Sequence, residues 1–161
     1  MSDNESKLLL GMELRPEFVV MDLDAATNAE ALEKLAQKLI DNGMVKPGFL
    51  PAILKREDEY CTGLAFAEMG IALPHTDAIH VNSPCIGIAK LQKPVTFQSM
   101  GMPDIPCEVE MLFMLGITDP DTQLDFLKTL MVTFQATGKL NGLKACETPE
   151  KMVEVFQSYF S

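Results

Sequence analysis

The sequence has few basic residues for its length. It carries 13 lysines and arginines against 23 aspartates and glutamates, so the formal net charge of the 161-residue chain is −10 at pH 7. Nucleic-acid binding needs clustered Lys and Arg to displace condensed counterions, and this balance argues against it. An excess of acidic residues favours a well-solvated surface and also suits a basic partner protein. We therefore expect no nucleic acid among the partners.

Long apolar runs and secretion signals are also missing. The longest apolar runs, such as Met111 to Ile117, are far shorter than the roughly 20 residues that cross a bilayer. Residues 1–7 contain no basic stretch that leads into an apolar signal core. We therefore expect a cytoplasmic protein with no direct insertion into a membrane.

Several enzyme classes lack their motifs. No GxxxxGK[ST], GxGxxG or GxSxG pattern occurs, so nucleotide-dependent kinases, dinucleotide dehydrogenases and α/β-hydrolases have no support. The four cysteines form no CxxC pair, and we expect them to be reduced and mostly buried as small apolar residues. A Cys–His pair with Cys61 or Cys85 as the nucleophile stays formally open, but neither residue has an activating context.

Hydrophobic periodicity predicts alternating strands and helices. Thr27 and Glu30 have the spacing of a capping box that opens the first helix, and Gly43 ends it in the left-handed conformation. Pro74 cannot donate to a ladder and should end the strand before it. The predicted strands cover residues 18–21, 64–67, 71–73, 85–91, 95–97 and 108–117. The predicted helices cover residues 27–43 and about 47–60, start at Asp119 and at Thr148, and include a short turn around Leu140 and Leu143.

This order predicts a single α/β domain over residues 1–161, a sandwich in which helices flank a mixed β-sheet. Residues 108–117 form the most hydrophobic strand and should lie centrally. Gln92–Pro94 is expected to be a turn and residues 98–106 a loop, because both contain proline and the second also contains glycine. Residues 1–16 are expected to be a flexible N-terminal arm or a short lead-in.

Both histidines of the chain lie in the segment 71–80. His75 follows a proline at a strand end, which fixes its backbone and is expected to expose its side chain. Neutral imidazole is a good nucleophile near pH 7, but this segment alone also fits a plain polar loop residue. His80 could reach the same patch and bind an anion, or simply lie in solvent. A metal site with Cys85 or Asp77 lacks a third histidine and standard spacing, so we predict no metal.

The segments Tyr60-Cys-Thr-Gly-Leu64 and Ile71-Ala-Leu-Pro-His-Thr-Asp77 resemble the active-site region of enzyme IIA proteins of the bacterial sugar phosphotransferase system. The resemblance is to the fructose–mannitol type and is strongest to its galactitol-specific members. It covers roughly residues 18–160. Further agreements are Lys55-Arg56-Glu57, Pro94-Val-Thr-Phe97, Met100-Gly101, Leu112-Phe-Met-Leu115 and Asp119-Pro120.

The resemblance implies a phosphotransferase that works through a phosphohistidine. The histidine equivalent to His75 takes a phosphoryl group from the phosphocarrier protein HPr and passes it to a cysteine of the matching enzyme IIB, while a membrane enzyme IIC carries the sugar. In this type Nε2 is phosphorylated and Nδ1 is held by a hydrogen bond. The donor is a protein, so the resemblance implies no nucleotide, metal or other cofactor. The sugar, galactitol or a related polyol, is read by the membrane partner.

The resemblance also implies roles for neighbouring residues. Arg56 matches the arginine of the family's Arg-Glu pair and is expected to bind the phosphoryl oxygens, and Thr62 is expected to donate a hydroxyl or backbone hydrogen bond. Mannitol and fructose members carry a second histidine near the position of Gln123. Gln123, His80 and Asp77 are candidates to line the site.

Two functions fit this sequence. The first is a phosphoryl-transfer component of a sugar transporter. The alternative is a regulatory domain of the same fold, whose phosphorylation state controls partner proteins. Both would use His75, and acceptance of the phosphoryl group by an enzyme IIB would separate them. A third class, a metal- or thiol-dependent hydrolase, has no supporting constellation in the sequence.

Overall fold

A computed structural model describes residues 11–160 of the chain, and residues 1–10 and 161 lie outside the described part. The strands are β1 (Val19–Leu23), β2 (Gly63–Ala65), β3 (Gly70–Ala72), β4 (Cys85–Ser99) and β5 (Met102–Gly116). The helices are α1 (Asn28–Asp41), α2 (Phe49–Glu59), α3 (Pro120–Gln135), α4 (Lys139–Lys144) and α5 (Pro149–Ser158). Short 3-10 turns cover Pro16–Phe18 and Ala78–His80.

The five strands form one mixed sheet, as the sequence predicts. Strand β4 pairs in parallel with β1 and antiparallel with β5. On its other side β5 pairs in parallel with β3, and β3 pairs antiparallel with β2. The β2 strand also meets the far end of β4, where Gly63 lies opposite Ser99. The prediction that the run 108–117 is central is therefore confirmed, because β5 has a strand on each side.

The structure corrects two loop predictions. The predicted turn at Gln92–Pro94 is part of the continuous strand β4, and most of the predicted loop 98–106 belongs to the β4–β5 hairpin. The pairing register shifts between Lys90 and Val95, so Pro94 falls in a bulge where the ladder is already interrupted. Only the hairpin end, with Gly101 at φ +77°, is a tight turn.

Local interactions explain where helix α1 starts and ends. The Thr27 hydroxyl accepts a hydrogen bond from the Glu30 N–H at 3.2 Å, and the Glu30 carboxylate accepts one from the Ala26 N–H at 2.8 Å. The predicted capping box is thus present, although its carboxylate reaches one residue further back than in the usual form. Gly43 has φ +74° after the end of α1, which confirms the predicted stop.

Helices cover both faces of the sheet, and the core is divided accordingly. Consecutive residues of β5 alternate between the two sides, since Leu112 packs with α1 and α2 and Phe113 packs with α3, α4 and α5. On the second side Phe113, Phe134 and Phe156 contact one another, with ring centroids 4.8–6.4 Å apart. This double-faced packing confirms the predicted single α/β domain.

The described part of the predicted N-terminal arm is packed rather than flexible. Met12 and Leu14 are fully buried. Between them, the Glu13 N–H donates to the Pro84 carbonyl at 2.9 Å, and the Ile86 N–H donates to the Glu13 carbonyl at 3.0 Å. Residues 12–14 therefore belong to the domain, whereas residues 1–10 of the predicted arm lie outside the described part.

No helix within residues 11–160 is long and apolar enough to cross a membrane.

Candidate active site

The backbone at His75 is fixed by the central strand. Strand β3 ends at Ala72, and Pro74 cannot donate to a ladder, as predicted. The Pro74 carbonyl instead accepts a hydrogen bond from the Leu115 N–H of β5 at 2.9 Å, and His75 forms an isolated parallel bridge with Leu115. The histidine therefore sits on a rigid strand end rather than on a free loop.

One nitrogen of the His75 ring is occupied. Nδ1 lies 2.8 Å from the Leu73 carbonyl oxygen. A carbonyl can only accept, so Nδ1 carries the proton, and in the neutral ring Nε2 keeps its lone pair. The side chain is half-buried, which differs from the predicted exposure. This burial, together with the nearby Arg56 charge, lowers the pKa of His75 below its usual 6.5, although the bond to Leu73 opposes the shift.

A small pocket of about 150 Å³ opens beside this histidine. It brings together residues from three parts of the chain: α2, the segment after β3, and the stretch from the end of β5 to the first turn of α3. The lining residues are Arg56, His75, Thr76, Asp77, Ala78, Ile117, Pro120 and Gln123. Thr76 is almost fully buried and was not singled out in the sequence, where a threonine beside the histidine carries no distinctive signal.

Arg56 places its guanidinium at this pocket. Its central carbon lies 4.6 Å from the centroid of the Tyr60 ring, one turn further along the chain, and its Nη1 lies 3.7 Å from Asp77 Oδ1. Its Nε is buried and has no hydrogen-bond partner among the described residues. The Asp77 side chain is 76% exposed, so this ion pair contributes little to stability. Arg56 thus retains donors that no described group uses.

Thr62 is placed differently from its predicted role. Its N–H donates to Glu57 Oε2 and its hydroxyl donates to Glu57 Oε1, both at 2.8 Å. Both donors that were expected to serve the phosphoryl group are therefore already used, and Thr62 does not line the pocket. A direct donor role for Thr62 towards the phosphoryl group would require one of these bonds to break, and it stays a prediction.

Glu57 is the functional candidate that the sequence reasoning missed. It is 5% exposed, and burial raises the pKa of its carboxyl to about 7 despite the two hydrogen bonds from Thr62, which lower it. Its place beside Arg56 in the Arg-Glu pair was visible in the sequence, but a glutamate at the end of a charged run looks like a solvated residue. Only the fold shows that the carboxylate points inward to Thr62.

Of the three other predicted lining residues, Asp77 and Gln123 border the pocket and His80 does not. Gln123 lies in the first turn of α3, whose N-terminus bears a partial positive charge. The His80 ring instead lies against Gly48 at the start of α2, where a Cβ added to that glycine would be 3.0 Å from His80 Nδ1. The 3-10 turn over Ala78–His80 carries the chain away from the pocket.

The thiols are poor candidates for a nucleophile. Burial and the charge of Glu57 raise the pKa of Cys61, and burial raises the pKa of Cys85 to about 12. Neither residue lines the pocket beside His75. Between residues 11 and 160, no three His, Cys, Asp or Glu side chains converge in a way that could hold a metal ion.

Comparison with known proteins places the chain in a family. Residues 12–159 match the family described as the phosphoenolpyruvate-dependent sugar phosphotransferase system, EIIA 2. The chain belongs to this family, and it is a phosphotransferase component of a sugar phosphotransferase system. This confirms the resemblance that was inferred from the sequence around His75.

Named relatives cover most of the chain. The galactitol-specific EIIA component of Escherichia coli K12 is 29% identical over 147 residues, which are 88% of this chain and 93% of that protein. The mannitol-specific enzyme IIA component of Staphylococcus aureus MRSA252 is 28% identical over 141 residues, 86% of this chain and 91% of that protein.

A solved structure shows the same fold. It is the complex of enzyme IIA(Mtl) with phosphorylated enzyme IIB(Mtl) from Escherichia coli, and it matches with a TM-score of 0.74 at 18% identity. The match covers 91% of this chain and 99% of that chain. It supports the single-domain sandwich with a mixed sheet that the sequence predicts.

Proposed function

We propose that this protein accepts a phosphoryl group from HPr on Nε2 of His75 and donates it to a cysteine of a galactitol-type enzyme IIB. A membrane enzyme IIC would then use that enzyme IIB for the uptake and phosphorylation of galactitol or a related polyol. In this proposal the protein works in the cytoplasm, where all its soluble partners are found.

The observation that carries the proposal is the hydrogen bond between His75 Nδ1 and the Leu73 carbonyl at 2.8 Å. It leaves Nε2 as the nitrogen with a free lone pair in the neutral ring. The lowered pKa of His75 keeps the ring neutral, and therefore nucleophilic, at pH 7. The nitrogen that the resemblance implies is thus also the one that the local geometry favours.

The proposed step is in-line displacement. The Nε2 lone pair forms a bond to the phosphorus of phospho-HPr while the bond between that phosphorus and the HPr histidine breaks. The electron pair of that bond returns to the HPr imidazole. His75 gains positive charge as the new bond forms, and the Nδ1–H donated to Leu73 stabilises it. The second step repeats this chemistry, with the enzyme IIB thiolate as nucleophile and neutral His75 as leaving group.

Arg56 is the residue that we expect to bind the phosphoryl oxygens. Phosphoryl transfer needs positioning and positive charge around the equatorial oxygens more than covalent help. The guanidinium lines the same pocket as His75 and keeps a buried Nε without a partner among the described residues. Its pair with the exposed Asp77 is long and weak, so a phosphoryl group of greater charge can displace that carboxylate.

The size of the pocket fits this assignment. Its volume of about 150 Å³ lies below the roughly 300–1,000 Å³ of sites that enclose a drug-sized ligand. A phosphoryl group fits such a space. The choice of galactitol or a related polyol rests on the similarity to the galactitol-specific relative.

The test is reconstitution with phosphoenolpyruvate, enzyme I and HPr, with radioactive phosphate as the label. We expect one acid-labile phosphate on the wild-type protein and none on His75→Ala. His80→Ala is the matched control, because it removes the only other histidine and should label normally. Full labelling of His75→Ala would overturn the proposal.

A second stage separates transport from regulation. The labelled protein is mixed with galactitol-type and mannitol-type enzyme IIB domains, and the transfer of phosphate is followed with time. We expect the galactitol-type domain to be labelled faster. Labelled His75 with no transfer to either domain would favour the regulatory alternative.

A further inference from the structure

A chain of hydrogen bonds connects Glu57 to the reacting histidine. The Glu57 carboxylate holds both the N–H and the hydroxyl of Thr62. The carbonyl of Thr62 accepts a hydrogen bond from the Leu73 N–H at 3.3 Å. The Leu73 carbonyl, on the other side of the same residue, accepts the bond from His75 Nδ1. Each link is a hydrogen bond between described groups.

The connection crosses between separate elements. Glu57 lies on α2, Thr62 precedes β2, and Leu73 follows β3. The bond between Thr62 and Leu73 extends the β2–β3 ladder by one step, since Gly63 pairs with Ala72. The Glu57 side chain therefore fixes the end of the hairpin that presents His75.

We propose that Glu57 is a positioning residue for His75. By holding Thr62 it fixes the orientation of Leu73, and the Leu73 carbonyl then holds the proton on Nδ1 and leaves Nε2 as the nucleophile. This inference rests on the proposed function only for its effect on rate. The effect on the ring tautomer is independent of any partner.

The cost of burying a carboxylate supports a specific role. An apolar side chain at position 57 would fill the same space without the loss of hydration that a buried acid suffers. The carboxylate is retained at 5% exposure with one oxygen on each donor of Thr62. Two such bonds fix both the position and the rotation of the Thr62 peptide, which a single apolar contact cannot do.

The first test is NMR of the protein with ¹⁵N-labelled histidine, which distinguishes the two ring tautomers. In the wild type we expect His75 to be almost entirely the Nδ1–H tautomer. In Glu57→Ala we expect a mixture with the Nε2–H form. His80, whose ring lies close to Gly48 at the N-terminal end of α2, provides the internal control, and its tautomer should not change. A purely structural role for Glu57 would leave the His75 tautomer unchanged.

The second test is the rate of phosphorylation by phospho-HPr. We expect Glu57→Ala to slow it by at least about tenfold, as a misplaced reacting group does. Glu57→Gln should stay within about twofold of the wild type, because its carbonyl can accept from the Thr62 N–H and its amide can donate to the hydroxyl. Thr62→Val, which loses only the hydroxyl bond, should lie between these two variants.

The outcomes are distinguishable. Retention of the Nδ1–H tautomer in Glu57→Ala overturns the inference, whatever the rate. If circular dichroism shows that Glu57→Ala is unfolded, Thr62→Val decides, and an unchanged tautomer in that variant overturns the inference. A wild-type protein that shows the expected tautomer but accepts no phosphate would contradict the proposed function and leave the positioning role supported.

Discussion

Helix α2 has a histidine near each of its ends, and the two are held in different ways. At its C-terminal end, Arg56 shares a pocket with His75, whose ring is fixed by a hydrogen bond to Leu73. At its N-terminal end, the backbone of His80 is held, since its carbonyl accepts from the Lys46 N–H at 2.8 Å, and its ring lies close to Gly48. Five positions in the sequence thus separate the proposed phosphoryl acceptor, which lines the pocket, from a histidine that does not.

This difference shows what distinguishes the two histidines. Both follow strand β3 closely and both are partly buried. Only His75 combines an oriented ring, a neighbouring cation and a cavity large enough for a small anion. His80 lies in a 3-10 turn and does not line that pocket, and three substitutions test the contrast between the two histidines.

The largest effect is expected from Arg56. Arg56→Ala removes the guanidinium that faces the pocket and should lower the rate of His75 phosphorylation by about 100- to 1,000-fold, which is typical for loss of a group that stabilises transition-state charge. Arg56→Lys should recover part of the rate, because an ammonium supplies charge without the planar fork. The rate is measured with limiting phospho-HPr.

The neighbouring Lys55→Ala is the matched control for charge. Lys55 is exposed and does not line the pocket, so its loss changes the net charge equally and should leave the rate within about twofold. Equal losses in Lys55→Ala and Arg56→Ala would show that only long-range charge matters.

An intermediate effect is expected on stability, through Glu57. Its pKa is raised to about 7 in the folded protein from an ordinary 4.5, so the folded state binds more protons than the unfolded state between these values. Stability therefore falls as pH rises from about 4.5 to 7. Glu57→Gln does not titrate, so its advantage in free energy of unfolding over the wild type should grow with pH, by up to about 3 kcal/mol.

Urea unfolding at pH 5 and at pH 8 measures this difference. The comparison is between the two proteins at each pH, so contributions from other titrating groups largely cancel. An advantage for the glutamine variant that is the same at both pH values would show that Glu57 does not carry a raised pKa.

The smallest effect is expected at the other end of α2. A Cβ on Gly48 would lie 3.0 Å from His80 Nδ1 and 3.3 Å from Cε1, so Gly48→Ala requires the His80 ring to move. Gly48→Ala should therefore cost at least about 0.5 kcal/mol more in the wild type than in a His80→Ala background. Thermal or urea unfolding of the four proteins gives this coupling, and phosphorylation of His75 should be unaffected in all of them.

Much of the fold could be predicted because its signals are local. The capping box at Thr27 and Glu30, the stop at Gly43 and the proline at the start of α3 each act within one helical turn. The hairpin between β4 and β5 was missed because its prolines look like loop residues. Proline is tolerated there by a bulge and by exposed strand positions, which are properties of the pairing and not of the local sequence.

The site was predicted less evenly. His75 was predicted because it follows Leu73-Pro74 at a strand end, and Arg56 was predicted from the resemblance to the family. The direction of the Glu57 and Thr62 side chains was not accessible, because it depends on how α2 packs beside β2 and β3. His80 was placed near the site on sequence distance alone, and a single 3-10 turn was enough to separate it.

The bond between Pro74 and Leu115 has a consequence for how partners recognise this protein. It ties the backbone at His75 to the central strand, so under the proposed function the phosphorylated and unphosphorylated forms should share one backbone conformation. A partner then has to read the loaded state as charge, since a phosphoryl group brings about −1.5 to −2 to a chain of net charge −10. We therefore expect the dissociation of the unphosphorylated protein from its partner to depend on ionic strength more than on any conformational change.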